Sequence, residues 1–432
     1  MRPLLRLALP FAVGNLLNLT TLVVDRLWVG RVGTEAMASL GAANAALMIL
    51  MTAAMGMGVG TLAGVARAVG AGDPERAGRF FRQGMILGWA VGLLFALCAL
   101  PFPHAIIDFV RPGTADGPAV DYLRISMAGM LVYVPLQTLV FALQGAGEAR
   151  TAMRLSAVAP ILNALLDPLF IFGFDLGLAG AAWATVLSTL LAYAVAWRMT
   201  RAGSSLALQA QGTRRPDWQI QKKIMGIGFP GTLEHLVRTV AGFALVKLLA
   251  GFGAAVLSAY TTSMMLLAVL IFPGLALGQA TASLVGQNLG AGRPERAWRT
   301  AWTAVGLYVA FMTGVGALIS LLAGPLVGLF DPNPAVVAEG TRLLHIVVLC
   351  FPFLAVAFVL SRAFAGAGTT LPAMIVAALS HLAFQIPAVR FLSAAYGPTG
   401  AYWGMAGAFM LQGVLAALVF THRQRPRRAP PT

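Results

Sequence analysis

Charge is what this sequence has least of. Asp, Glu, Lys and Arg make up 10% of its 432 residues, where a soluble domain carries about a quarter, and that shortfall excludes a soluble globular fold. Acids are the scarcer sign, with 15 Asp and Glu against 30 Lys and Arg. Cysteine is almost missing. Cys98 and Cys350 both fall in apolar runs, which excludes a disulfide framework and leaves them as buried apolar filler. No H-E-x-x-H motif and no G-x-x-x-x-G-K-[ST] loop occurs, and His104, His345 and His422 sit near the ends of apolar runs, suggesting no metal site. Neither a metalloenzyme nor a P-loop nucleotide site is expected, and no paired catalytic motif points to another enzyme. Arg2 and Arg6 precede the first apolar run as they would in a signal peptide. That run is too long for an h-region and lacks an A-x-A-like cleavage site, so it reads as a first membrane helix.

What fills the chain is apolar. Hydrophobic residues make up 59% and the mean hydropathy is +0.81. A spanning helix needs about 20 mostly apolar residues, and twelve runs qualify, at about 5–30, 36–66, 83–106, 119–145, 152–174, 178–200, 222–250, 254–288, 299–326, 339–365, 371–394 and 399–421. They are too long and too continuously apolar for the alternating strands of a barrel, so helices must satisfy the backbone in lipid. The expected class is an all-α polytopic membrane protein with the lipid bilayer as its surroundings. A net charge of +15 invites a nucleic-acid reading, but the distribution of the charges argues against it. Loops after even-numbered runs hold Arg76, Arg79, Arg82, Arg150, Arg154, Arg201, Arg214, Arg215, Lys222, Lys223, Arg293, Arg296 and Arg299; odd-numbered loops hold chiefly Arg31, Arg111 and Arg342. Arg2, Arg6 and the tail residues Arg423, Arg425, Arg427 and Arg428 fall on the even side. Lys and Arg concentrate in cytoplasmic loops, so both termini are expected inside and no nucleic acid is expected as a partner.

The octapeptide GAGDPERA at Gly70–Ala77 returns as GAGRPERA at Gly290–Ala297, 220 residues later. Pro10 matches Pro230, Gly33 matches Gly253, Gly58 matches Gly278 and Thr61 matches Thr281 at that offset. After a one-residue slip Gly145, Gly147 and Met153 match Gly366, Gly368 and Met374, and the offset then returns for Gly177, Gly180 and Trp183. Six helices per copy is an even number, so the copies are parallel repeats related by a pseudo-two-fold axis along the membrane normal. The expected organisation is an N-lobe at 1–200, a polar cytoplasmic linker at 201–221 containing GTRRPD, a C-lobe at 222–421 and a basic tail at 422–432. The GAG-x-PERA loops read as punctuation, with glycine ending one helix and proline opening the next.

Two acids stand out within apolar runs, Asp25 and Asp167, and their repeat partners are apolar: Leu245 for the first, Pro387 or Ala388 for the second. An ionised carboxylate at depth in lipid is costly and commonly lines a pathway. Asn18, Thr21 and Asp25 form one helical stripe, as do Ser156, Asn163 and Asp167. The sixth run offers Thr185, Ser188, Thr189 and Tyr193, and the fourth Tyr133, Gln137 and Gln144, so four polar stripes could converge on one hydrated pocket. Carboxylate, amide and hydroxyl oxygens suit a hard cation, and carboxylates drawn out of water also hold a proton readily; the residues do not separate Na⁺ from H⁺. The blander alternative pairs Asp25 with Arg26 or Arg31. Farther on, Glu234, His235 and Arg238 form a patch in which Glu234 and Arg238 can neutralise each other, and His381 and Gln385 share a face.

These residues resemble the multidrug and toxic compound extrusion (MATE) family over nearly the whole chain. The resemblance rests on VDRLWVGRVG at Val24–Gly33, the two GAG-x-PERA loops, NALLDPLFIFGF at Asn163–Phe174 and GLAGAAWAT at Gly177–Thr185. It implies two six-helix bundles facing a central cavity, and export by alternating access driven by an inward Na⁺ or H⁺ gradient. One ion-site layout of that family uses acids on helices 7 and 10; here Arg238 stands at the depth of that layout's helix 7 glutamate, and helix 10 has no carboxylate. The other layout uses aspartates on helices 1 and 5, as in the archaeal and damage-inducible F-type branch, which this chain is most similar to. By that resemblance Asp25, Asn163, Asp167 and Thr185 hold the coupling ion, H⁺ or Na⁺, with no other cofactor, and Pro10 bends helix 1. Asn18, Thr21, Tyr133, Gln137, Ser188, Tyr193, Glu234, His381 and Gln385 are candidates for the substrate path. The expected function is a monomeric antiporter of the bacterial inner membrane that exports amphipathic, cationic organic compounds. The rival is a flippase or exporter of a lipid-linked or anionic substrate, which the acids of the first lobe disfavour.

Overall fold

The computed structural model describes residues 1–110, 117–201 and 215–424. Every regular element among them is a helix. The first half holds α1 (Arg2–Val32), α2 (Thr34–Gly70), α3 (Pro74–Cys98), a short α4 (Pro103–Val110), α5 (Gly117–Ala146), α6 (Ala149–Pro168) and α7 (Gly177–Arg201). The second holds α8 (Trp218–Ala250), α9 (Ala254–Gly290), α10 (Pro294–Leu321), α11 (Ala323–Gly328), α12 (Pro334–Val348), α13 (Phe351–Gly366), α14 (Leu371–Ala378) and α15 (Ile386–Gln424). A π-helical stretch, Leu169–Gly173, follows α6, and another, Leu379–Gln385, joins α14 to α15.

Among the described residues, nine helical runs are long and apolar enough to cross a membrane, and the pair α12–α13, bent by 56°, makes a tenth. The 54-residue run Leu371–Gln424 divides at Gly397, whose φ of 61° breaks the helix just before Pro398. α8 completes the set, its apolar run interrupted by Glu234, His235 and Arg238. Twelve spans therefore stand where the sequence has twelve apolar runs.

Some expected boundaries move. The third span starts at Pro74 rather than near residue 83, because the Asp73 carboxylate accepts from the Arg76 N–H at 2.8 Å and Pro74 occupies the first turn. It ends at Cys98 rather than near residue 106, with Pro101 and Pro103 separating it from α4. α8 starts at Trp218, inside the expected linker, because the Asp217 carboxylate accepts from the N–H groups of Gln219 and Ile220 at 3.0 and 3.2 Å. α15 runs to Gln424, so His422 and Arg423 of the expected tail are helical. Linker residues 202–214 with Arg214, together with Arg111, Arg425, Arg427 and Arg428, lie outside the described residues.

The duplication is written into the backbone. Glycines with left-handed φ pair off along the chain: Gly33 with Gly253, Gly72 with Gly292, Gly147 with Gly368 and Gly177 with Gly397. In the two octapeptide loops Gly72 (φ 71°) and Gly292 (φ 68°) follow α2 and α9. The next N–H, of Asp73 or Arg293, reaches back to the carbonyl of Ala68 or Asn288 at 3.0 or 2.8 Å. That is the glycine-dependent ending of a helix, and a Cβ would strain it.

The chain forms two compact units, Arg6–Thr232 and Met1–Leu5 with Leu233–Thr432. The first keeps the opening turns of α8, which the sequence assigned to the C-lobe. Gln83 accounts for much of this: its amide donates to the Arg215 carbonyl at 2.9 Å, and its oxygen accepts from the Asp217 N–H and the Gln221 amide, both at 3.0 Å. Ile220 and Ile224 add a small apolar core with Val65, Phe80 and Ala142. The larger core of this unit gathers Leu40 and Leu47 of α2, Leu123, Met127 and Met130 of α5, and Ala181 and Ala182 of α7. In the second unit Phe351, Phe364, Tyr402 and Phe420 are fully buried, and Trp298 stacks on Phe420 at 5.4 Å. Outward-facing Leu97, Leu165, Phe243, Leu321 and Phe391 are exposed, as a lipid-facing surface requires.

Candidate functional site

In the first unit, α1 places Thr21 one turn before Asp25, and α6 places Asn163 one turn before Asp167. Pro168 follows at once. Lacking an N–H it cannot continue the α-helical ladder, and the chain widens into the π stretch, with the Phe174 N–H bonded to the Leu169 carbonyl at 2.9 Å. Asp167 and Asn163 are 0% and 1% exposed. The Asn163 amide donates to Asp167 Oδ1 at 3.0 Å and to Thr185 Oγ1 of α7 at 3.2 Å, while the Thr185 hydroxyl donates to the Ala181 carbonyl at 3.0 Å. The Asp25 carboxyl comes within hydrogen-bonding reach of the Asp167 carboxyl. Thr21 Oγ1, Asp25 Oδ1, Asn163 Oδ1 and Asp167 Oδ2 are all buried without a hydrogen-bond partner.

The structure thus gathers Asp25, Asn163, Asp167 and Thr185, with Thr21 one turn away. It does not bring in the remaining stripes. Asn18 is exposed and its amide returns to the Gly14 carbonyl at 3.0 Å. Ser188 donates to the Thr185 carbonyl at 2.9 Å. Tyr193 shares a hydrogen bond with Trp89, its ring edge-on at 5.5 Å. Tyr133 packs against the apolar core, and Gln137 one turn on is half-buried. α5 instead contributes Tyr122, hydrogen-bonded to Ser126 and within electrostatic reach of both carboxylates. The signal for it was depth. Asp25 is seven residues from the end of α1 and Tyr122 five from the start of α5, within about one turn of the same level. The alternative pairing of Asp25 with arginine is not found: the ion pairs among the described residues are Arg124–Asp121, Arg238–Glu234 and Arg342–Glu339. Arg31 lies over the Trp28 ring at 4.7 Å instead.

The second unit holds a polar cluster of opposite character, and the pairing of Glu234 with Arg238 expected from their spacing is found in it. Glu234 is 5% exposed. Arg238 donates to its Oε1 at 2.6 Å, and the Ser361 hydroxyl faces both carboxylate oxygens at 2.9 and 2.7 Å. The Arg362 guanidinium meets His235 Nε2 at 2.9 Å. Because a guanidinium only donates, that nitrogen accepts and the ring is the neutral Nδ1–H tautomer. His381, 2% exposed, has one ring nitrogen 2.6 Å from Gln385 and the other 3.0 Å from Gln412, and it is within electrostatic reach of Glu234 and Arg238. Ser361 and Arg362 of α13 and Gln412 of α15 were not among the residues expected from the sequence, since no carboxylate marks either stretch.

A family model, MatE, matches residues 10–169 and again residues 230–389, two matches displaced by the 220 residues of the repeat. The chain is 26% identical over 440 residues to a probable multidrug resistance protein NorM of Thermotoga maritima, covering 99% of this chain and 94% of that protein. It is 24% identical over 424 residues to a probable multidrug resistance protein YpnP of Bacillus subtilis, covering 98% and 95%. Its fold superposes on a crystal structure of MATE in the straight conformation with a TM-score of 0.91, over 98% of this chain and 95% of that one, at 24% identity.

Proposed function

The chain belongs to the MatE family of multi-pass membrane transporters, and from that premise we propose a secondary antiporter that exports amphipathic organic cations in exchange for H⁺ or Na⁺. The observation that supports this reading is the Asp25–Asp167 pair. Two carboxyl groups in contact, away from water and without an arginine or lysine partner, need a positive charge between them. Their unpartnered oxygens, with those of Asn163 and Thr21, form a donor set of carboxylate, amide and hydroxyl groups. Na⁺ takes such oxygens, and a proton shared between the carboxyls serves equally. Asn163 holds one Asp167 oxygen in place and Thr185 anchors Asn163, so the pair is oriented before the ion arrives.

Ion and cationic substrate compete for the same negative charge, which links ion entry to substrate release. Pro10 lies inside the continuous α1 and removes one ladder hydrogen bond, giving that helix a place to bend. The bacterial inner membrane with both termini in the cytoplasm fits the arginine-rich even-numbered loops, and a monomer suffices because the acid site lies within one unit. The test is uptake of a fluorescent cation into everted membrane vesicles, with Na⁺ and pH gradients imposed separately. Uptake driven by one of the two gradients is expected; a wild-type protein that responds to neither contradicts antiport.

A further inference from the structure

The cluster of the second unit has more positive charge than its contacts neutralise. Two guanidiniums, Arg238 and Arg362, stand against one carboxylate, Glu234, and that carboxylate is already engaged by Arg238 and Ser361. Arg362 takes no part in the ion pairs of the described residues, and its hydrogen bond goes to the neutral ring of His235. Its stem packs over Gly278, well inside the 37-residue α9, so the charge lies in the body of the unit and not at a helix end. Arg238 Nε is buried and lacks a partner, while the Arg238 side chain as a whole keeps 21% of its surface open. Two guanidiniums that share one carboxylate in an apolar bundle leave a net positive charge that is costly there, and the rigid fork of donors on Arg362 matches a second carboxylate. Beside it the His235 ring, whose Nε2 accepts from Arg362, keeps an Nδ1–H donor that suits an oxyanion too.

We propose that this cluster, centred on Arg362 with Arg238 beside it, receives a carboxylate of the transported compound, so that the protein selects zwitterionic amphiphiles over simple cations. The proposal rests on the antiport reading and adds to it the anionic group of the transported compound. Phe141 occupies the repeat-related position in the first unit, covering Gly58 as Arg362 covers Gly278. The anion-receiving group therefore belongs to one copy only.

The test uses two rhodamine dyes that differ at one group, a free benzoate or its methyl ester, bound to the purified full-length protein and followed by fluorescence polarisation. The wild type is expected to bind the zwitterion at least about tenfold more tightly than the ester, the size of one charge-assisted forked contact. Arg362→Gln should bring that ratio close to one, and Arg362→Lys should restore part of it. If the Gln variant fails to fold, choline benzoate with the wild type decides: it should displace the zwitterionic dye and not the ester. Equal affinity for the two dyes in the wild type, a ratio unchanged in Arg362→Gln, or benzoate displacing both dyes alike would overturn the proposal. Antiport fails separately: a preserved dye preference with no gradient-driven uptake sinks the coupling reading and leaves this site standing.

Discussion

The two units carry one backbone plan and opposite charges. In the first, Thr21, Asp25 and Trp28 lie along α1; their counterparts along α8 are Ala241, Leu245 and Leu248, which line a groove of about 360 Å³ with Gln385, Lys247 and Arg390. In the second, Glu234, Arg238, Ser361 and Arg362 occupy positions that are Gly14, Asn18, Val140 and Phe141 in the first. Apart from Asn18, each unit carries polar side chains where the other is apolar. The lesson is that turn glycines and helix-opening prolines maintain the fold, while the side chains facing each bundle interior are free to diverge. Asp25 and Asp167 of the first unit take part in none of the ion pairs among the described residues, which is why we propose them for a mobile cation. Glu234 of the second is paired with Arg238.

That contrast makes opposite forecasts for the two buried acids. Glu234→Gln leaves Arg238 and Arg362 without a counter-charge and should cost about 3–5 kcal/mol of stability, read as a lower thermal unfolding midpoint in detergent. Asp167→Asn relieves carboxylate repulsion and should not lower it; the reverse order would break the comparison. Leu245, 3% exposed, is the counterpart of Asp25, and Leu245→Asp should destabilise by about 3 kcal/mol without adding a second coupled ion, since no second acid lines that groove. Asn163→Ala removes the group that orients Asp167 and should weaken ion binding by about 10–100-fold, measured as ion-dependent quenching of tryptophan fluorescence. The smallest effect sharpens the likeness of the units: Gly72→Ala and Gly292→Ala should each cost about 1 kcal/mol, equally, because both sit in the same left-handed turn.

Much of this was legible beforehand, for physical reasons. Spacings of four along a helix put Asn163 beside Asp167 and Thr21 beside Asp25, whatever the rest of the fold does. Apolar runs in lipid can only be helices, so the twelve spans followed. What escaped depends on contacts between distant segments. Ser361 reaches Glu234 across 127 residues, and no local pattern announces that meeting. Tyr122 looks like ordinary apolar filler until the start of α5 is known. The first unit takes in the start of α8 because Gln83 binds it there, a connection spanning more than 130 residues.

The central claim is that ion coupling resides in the acid pair of the first unit. Its most direct test is the ratio of ions to dye exchanged in proteoliposomes, recorded together for the wild type, Asp167→Asn and Glu234→Gln with the ester dye. A finite ratio in the wild type, near zero in Asp167→Asn and unchanged in folded Glu234→Gln is the predicted result. A ratio that survives Asp167→Asn and vanishes in Glu234→Gln would move the coupling to the second unit and contradict the account.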